Sequence, residues 1–113
     1  MPHTIEILME KYVSEIGKIY GANLKSIILY GSYARGDYNA ESDIDILILV
    51  DMSELEVGEY WNKLSDITYD FNMDYNLDIK PIAKSEEHFN RWVDNYPFYA
   101  NIKREGVTLY GAA

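Results

Sequence analysis

A chain of 113 residues can bury one sizeable core but not two, so a single domain spanning residues 1–113 is expected. Hydrophobic residues make up 48% and charged residues 26%, a globular balance that excludes wholesale disorder. The lack of cysteine excludes disulfides, thiolate chemistry and cysteine-based zinc sites, and a net charge of −9 argues against tight nucleic-acid binding. Met1 to Glu10 lacks the pattern of a secretory signal, and no stretch approaches the roughly 18 apolar residues of a membrane span. A cytoplasmic protein with no membrane partner is therefore expected. Were so acidic a chain to handle nucleotides, it would need divalent cations as intermediaries.

In chain order, Ile5, Leu8, Tyr12, Ile16 and Ile19 recur at helical spacing and predict a helix over Thr4 to Tyr20, with Gly21 as its stop. Leu24 to Tyr30 is short, apolar and β-branched, a buried strand. Gly31 to Ser42 is rich in turn formers, with room for one helical turn at Ser32 to Arg35. Asp43 to Val50 is apolar on both faces after its first residues, the pattern of a central strand covered on both sides. Ser53 and Glu56 form a capping box. Val57, Tyr60, Trp61, Leu64, Ile67 and Phe71 then mark one face of a single long helix, followed by a polar connection over Asn72 to Asn76. Leu77 to Ile82 reads as a third strand, and Pro81 assigns it an edge or terminal position. Helices are expected from Ser85 to about Asp94 and from Pro97 to Glu105, then a short strand at Val107 to Tyr110. The sum is an α/β (α+β) fold, a small mixed sheet flanked by helices.

The chemistry concentrates in three places. Side chains alternate along a strand, so Asp43 and Asp45 share a face while Ile44 enters the core. Two bare carboxylates so placed repel one another and call for a positive charge between them. Their hard oxygens suit Mg²⁺ or Mn²⁺. Gly31 directly follows a strand and lets backbone approach a phosphate, while Ser32 adds a hydroxyl. Ten residues separate Ser32 from Asp43, short enough to make the two strands antiparallel neighbours. The long helix after the second strand then returns the chain for a parallel third strand, bringing Asp78 beside Asp43 and Asp45. Either feature alone is most often just a turn or a solvated charge. Their joint occurrence on these elements is what points to a site.

Gly31-Ser32, ten residues, then Asp43-Ile44-Asp45, embedded in LYGSYARGDYNAESDIDILILV, resembles the signature of the polymerase-β-like nucleotidyltransferase superfamily. Size and detail resemble its smallest branch, the minimal nucleotidyltransferases (MNT) of prokaryotes. The likeness extends over the strand before Gly31, the third aspartate in LDIKPI and the closing IKREGVTLYG. It implies the nucleotidyltransferase fold, with Asp43, Asp45 and Asp78 as catalytic residues holding two Mg²⁺ ions, Mn²⁺ being the alternative. Gly31 and Ser32, with Arg35 beside them, would bind the phosphates of ATP or another NTP. Many members of this branch act as antitoxins of HEPN-domain toxins, some by attaching AMP to a tyrosine. The resemblance thus implies AMP transfer to a tyrosine of a HEPN toxin. A non-catalytic antitoxin that blocks its toxin by contact, and a transferase acting on a small molecule such as an aminoglycoside, are the alternatives.

Around this constellation Arg35 has two readings, a phosphate contact or an ion pair with the aspartates. Lys80, on the face of Asp78, reads as a surface lysine within possible reach of a nucleotide, and Asp37 and Glu41 as solvated loop charges. His88 reads as a boundary residue. Of the eleven tyrosines, Tyr60 is assigned to the core, and Tyr33, Tyr38, Tyr96 and Tyr99 to exposed positions suited to a protein interface.

Overall fold

The computed structural model describes residues 1–112. Helix α1 (His3–Tyr20) is followed by a 3₁₀ turn (Gly21–Asn23), strand β1 (Leu24–Tyr30) and the single-turn helix α2 (Ser32–Arg35). Strand β2 (Ile44–Val50), helices α3 (Glu54–Glu59) and α4 (Trp61–Tyr75) and strand β3 (Ile79–Ser85) come next. Helices α5 (Glu86–Trp92) and α6 (Pro97–Glu105) and strand β4 (Val107–Gly111) complete the fold. The sheet order is β3-β2-β1-β4. β1 lies antiparallel to both β2 and β4, and β2 is parallel to β3. The mixed sheet flanked by helices is thus the expected architecture, with the clearest apolar run, β2, at its interior.

Alternation along β2 feeds two cores. Ile44, Ile46 and Ile48 face α1 and α4, packing with Tyr12, Ile16, Leu64 and Phe71. Leu47 and Leu49 face the other way, against Phe89 and Val93 and against Tyr99 and Ile102 of α6. Deep in the first core the Tyr12 hydroxyl and Thr68 Oγ1 are 2.7 Å apart, so neither buried oxygen lacks a partner.

Several boundaries differ from expectation. The long helix is two helices meeting at Tyr60, whose N–H reaches back to Val57 O at 3.1 Å, a tightened turn after Gly58. That bend leaves Trp61 half exposed rather than on the core face. α4 runs on through Asn72 to Tyr75 and ends with Asn76 in the left-handed region, φ 53°, where asparagine is tolerated. β3 begins at Ile79, so Asp78 precedes it, and Pro81 lies on the sheet's edge strand, where its missing N–H costs no ladder bond. Tyr99, expected to be exposed, is buried under α5, and its hydroxyl sits 3.1 Å from His88 Nδ1.

Candidate active site

The site forms where β1 ends and β2 begins. Antiparallel pairing sets Tyr30 opposite Asp45, so the turn that follows Tyr30 arrives beside the carboxylate. Gly31 adopts φ 74°, ψ −155°, a conformation that disfavours any side chain, and a Cβ there would collide with Asp45 Oδ2. Its carbonyl accepts from Ala34 N and Arg35 N, both at 3.1 Å, which opens α2 directly at Ser32. Ser32 and the stacked rings of Tyr33 and Tyr38, 4.5 Å apart, are half-buried.

Across the sheet, the parallel register sets Ile44 against Ile79 and Asp45 against Lys80. The Ile44 N–H donates to Asp78 O at 2.9 Å, which ties the residue before β3 to the start of β2. The carboxyls of Asp43 and Asp78 lie close enough to interact directly. Contact with Asp78 draws the Asp43 carboxyl below the usual carboxylate range, helped by Lys80, whose Nζ is 3.3 Å from Asp43 Oδ2. The same contact shifts the Asp78 carboxyl the opposite way, upward, with burial and the Asp43 charge adding to the rise. Asp45 is also raised, first by burial and then by the Asp43 charge, against the pull of Lys80 and Arg35. Beside it, burial and the Asp45 charge push the Tyr30 hydroxyl up to about 12.

The three carboxylates therefore meet at one sheet end but are not equivalent. Asp43 and Asp78 touch, whereas Asp45 is tucked against Gly31. Among the described residues no three acidic or imidazole side chains close into a ready ligand set. Arg35 pairs with neither Asp43 nor Asp45. Its Nε lies 3.2 Å from Asp37 and its Nη1 3.5 Å from Glu105, which pins the exposed guanidinium between the turn and α6. Lys80 is exposed, as expected, yet bonded to Asp43.

Sequence reasoning missed two contributors. One is Asn72, taken for a connection. Its Nδ2 donates to Ile79 O at 3.1 Å and its Oδ1 accepts from Ile79 N at 2.9 Å. The other is one face of α6. Phe98, Asn101, Ile102 and Glu105, at helical spacing, wall a recess of about 240 Å³ whose other side is Tyr30, Gly31, Arg35 and Asp45. The helical spacing was visible, but nothing local says which strand end α6 covers.

The mixed sheet flanked by helices is shared with solved structures. A Sulfolobus solfataricus protein provisionally named a nucleotidyltransferase has the same fold, with a TM-score of 0.59 at 22% identity over 94% of this chain and 79% of that one. So does a chain in the complex of a tri-AMPylated HEPN toxin with an MNT antitoxin from Shewanella oneidensis, at TM-score 0.51 and 17% identity, covering 94% and 71% of the two chains. The model of the nucleotidyltransferase domain family matches residues 9–107, and the chain belongs to that family. It is 38% identical to a provisionally named protein adenylyltransferase of Methanocaldococcus jannaschii, over 93% of this chain and 97% of the relative. A second relative of that name from the same organism is 36% identical, over 84% and 93%.

Proposed function

We propose that this nucleotidyltransferase is metal-dependent and moves AMP from ATP onto a tyrosine hydroxyl of a partner HEPN toxin, acting as its antitoxin. One observation carries the reading. The Gly31–Ser32 turn, Asp43, Asp45 and Asp78 meet at one sheet end in a chain that is 38% identical to a provisionally named protein adenylyltransferase.

In this reading the open backbone at Gly31 and the Ser32 hydroxyl receive the terminal phosphates. Arg35, held by exposed ion pairs worth little in water, swings to them at small cost. The donor set suits hard cations: it is all carboxylate oxygen, and the Lys80 ammonium already sits 3.3 Å from Asp43. Asp43, Asp45 and Asp78 would hold two Mg²⁺ ions, or Mn²⁺. Bound there, the ions neutralise the phosphates and stabilise the entering and leaving oxygens. The acceptor hydroxyl oxygen forms a bond to the α-phosphorus, the bond from that phosphorus to the β-bridging oxygen breaks, and pyrophosphate leaves. Asp78, on the acceptor side in this reading, would help to take the hydroxyl proton.

The test is intact-mass spectrometry of the partner after incubation with this chain, ATP and Mg²⁺. One or more AMP additions are expected, and none with Asp45→Asn, even where the two proteins still associate. Full neutralisation of the toxin by Asp45→Asn, with no mass ever added, would show a protein that acts by contact alone.

A further inference from the structure

Lys80 stands where an ordinary surface lysine has no reason to be. The parallel register sets it opposite Asp45, and it follows Asp78 by two residues, on the same face. Its Nζ lies 3.3 Å from Asp43 Oδ2. The bond to Asp43, and then the charges of Asp43, Asp78 and Asp45, hold its ammonium above the ordinary lysine range. One ammonium thus answers all three carboxylates. The other nearby cation does not share this task, because Arg35 is engaged by Asp37 and Glu105.

The backbone that carries Lys80 is fixed, while its side chain is free to move. On one side the Asn72 side chain holds both the N–H and the C=O of Ile79, at 2.9 and 3.1 Å. On the other, Pro81 has its φ locked by the ring. Beyond this anchored root the Lys80 side chain is 60% exposed. A four-carbon stem in water swings readily, and an exposed ion pair is weak, so the ammonium can leave Asp43 at small cost. A divalent cation bound to the same carboxylate would stand within a few ångströms of that ammonium and repel it. The metal ion and the ammonium therefore compete for one place.

We infer that Lys80 is the resident counter-ion of the carboxylate cluster, holding Asp43 when no metal ion is bound and giving way when a divalent cation enters. The inference rests on the metal-dependent reading above and deepens it by naming what the entering ion displaces. Lys80 thereby sets the concentration of divalent cation at which the site fills.

The experiment titrates Mn²⁺ alone, without nucleotide, into the full chain and its Lys80→Gln and Lys80→Arg variants, and reads the free ion by electron paramagnetic resonance. Lys80→Gln should bind Mn²⁺ about tenfold more tightly, the order expected when a like charge a few ångströms away is removed. Lys80→Arg keeps the charge and should stay near the wild type. In thermal melts with a chelator, Lys80→Gln should melt below the wild type, since its carboxylates lack their counter-ion, and Mn²⁺ should raise its melting temperature by more. Equal or weaker Mn²⁺ binding by folded Lys80→Gln overturns the inference and leaves the metal site standing. A matching gain in Lys80→Arg also overturns it, because the charge would then not be the cause. If none of the three chains binds Mn²⁺, with or without ATP, the metal-dependent reading itself falls, and the counter-ion role with it.

Discussion

Asp43 and Asp45 are two residues apart on one strand, and their surroundings give them opposite energetics. Asp45 binds its proton more tightly folded than unfolded, because burial and the Asp43 charge oppose its ionisation. A folded-state pKa raised above the unfolded value makes ionisation a cost at neutral pH. Below both values the group is protonated in either state and the cost disappears. Asp43 is the reverse: contact with Asp78 and Lys80 favours its charge, so its contribution is stabilising above the ordinary carboxylate range and fades in acid. Asp45→Asn should therefore raise the melting temperature at pH 7, with the gain shrinking toward pH 3, while Asp43→Asn shows no such gain. Thermal melts of both variants at the two pH values check this, and equal gains at pH 7 would refute the asymmetry. Repulsion alone, read from D-x-D, predicts relief at both positions.

Among the elements, β3 depends on a helix for what a neighbouring strand would ordinarily supply. As the edge strand it turns Ile79 N–H and C=O away from β2, and the Asn72 side chain in the last turn of α4 satisfies both. The same junction is fixed by Leu77 N–H donating to Asn72 O at 3.0 Å and by Asn76 in the left-handed region. Asp78 hangs between these ties and β2. Replacing Asn72 by alanine strands a partly buried donor and acceptor, so a loss of about 1–3 kcal/mol is expected in denaturant unfolding. Transfer activity should fall too, because Asp78 loses its anchor. Asn72→Asp, which keeps only the acceptor, should retain part of the stability. Unchanged unfolding in Asn72→Ala would show that water replaces the clamp without cost.

Over the whole molecule, the charge of −9 sets the terms on which a polyanionic nucleotide is met. Three carboxylates gather at the site with Lys80 and Arg35 as the nearby cations, and Arg35 is engaged with Asp37 and Glu105. Unaided, ATP encounters net repulsion there. In thermal denaturation, ATP at about a hundredfold excess over Kd should add roughly 2.7 kcal/mol, a rise on the order of 10 °C, when Mg²⁺ or Mn²⁺ is present. With a chelator the rise should be near zero. Equal stabilisation in both conditions would remove metal ions from the site.

Local pattern alone determined the elements of this protein and the strand pairing that links its motifs. The double-sided apolar run of β2 marks an interior strand, the ten-residue connection makes β1 its antiparallel neighbour, and the helical return makes β3 parallel. Those relations are short in sequence or follow from chain handedness, so the meeting of Gly31, Asp45 and Asp78 at one sheet end could be read from them. Tertiary packing decided the rest. Whether Arg35 pairs with Asp45 or with Glu105, whether Asp78 leans on Asp43, and whether α6 shelters the carboxylate face depend on contacts between segments far apart in the chain. The break at Tyr60 and the extension of α4 through Asn72 belong to the same class. Periodicity tells a helix which face to bury; the surface it meets is set only when the whole core packs.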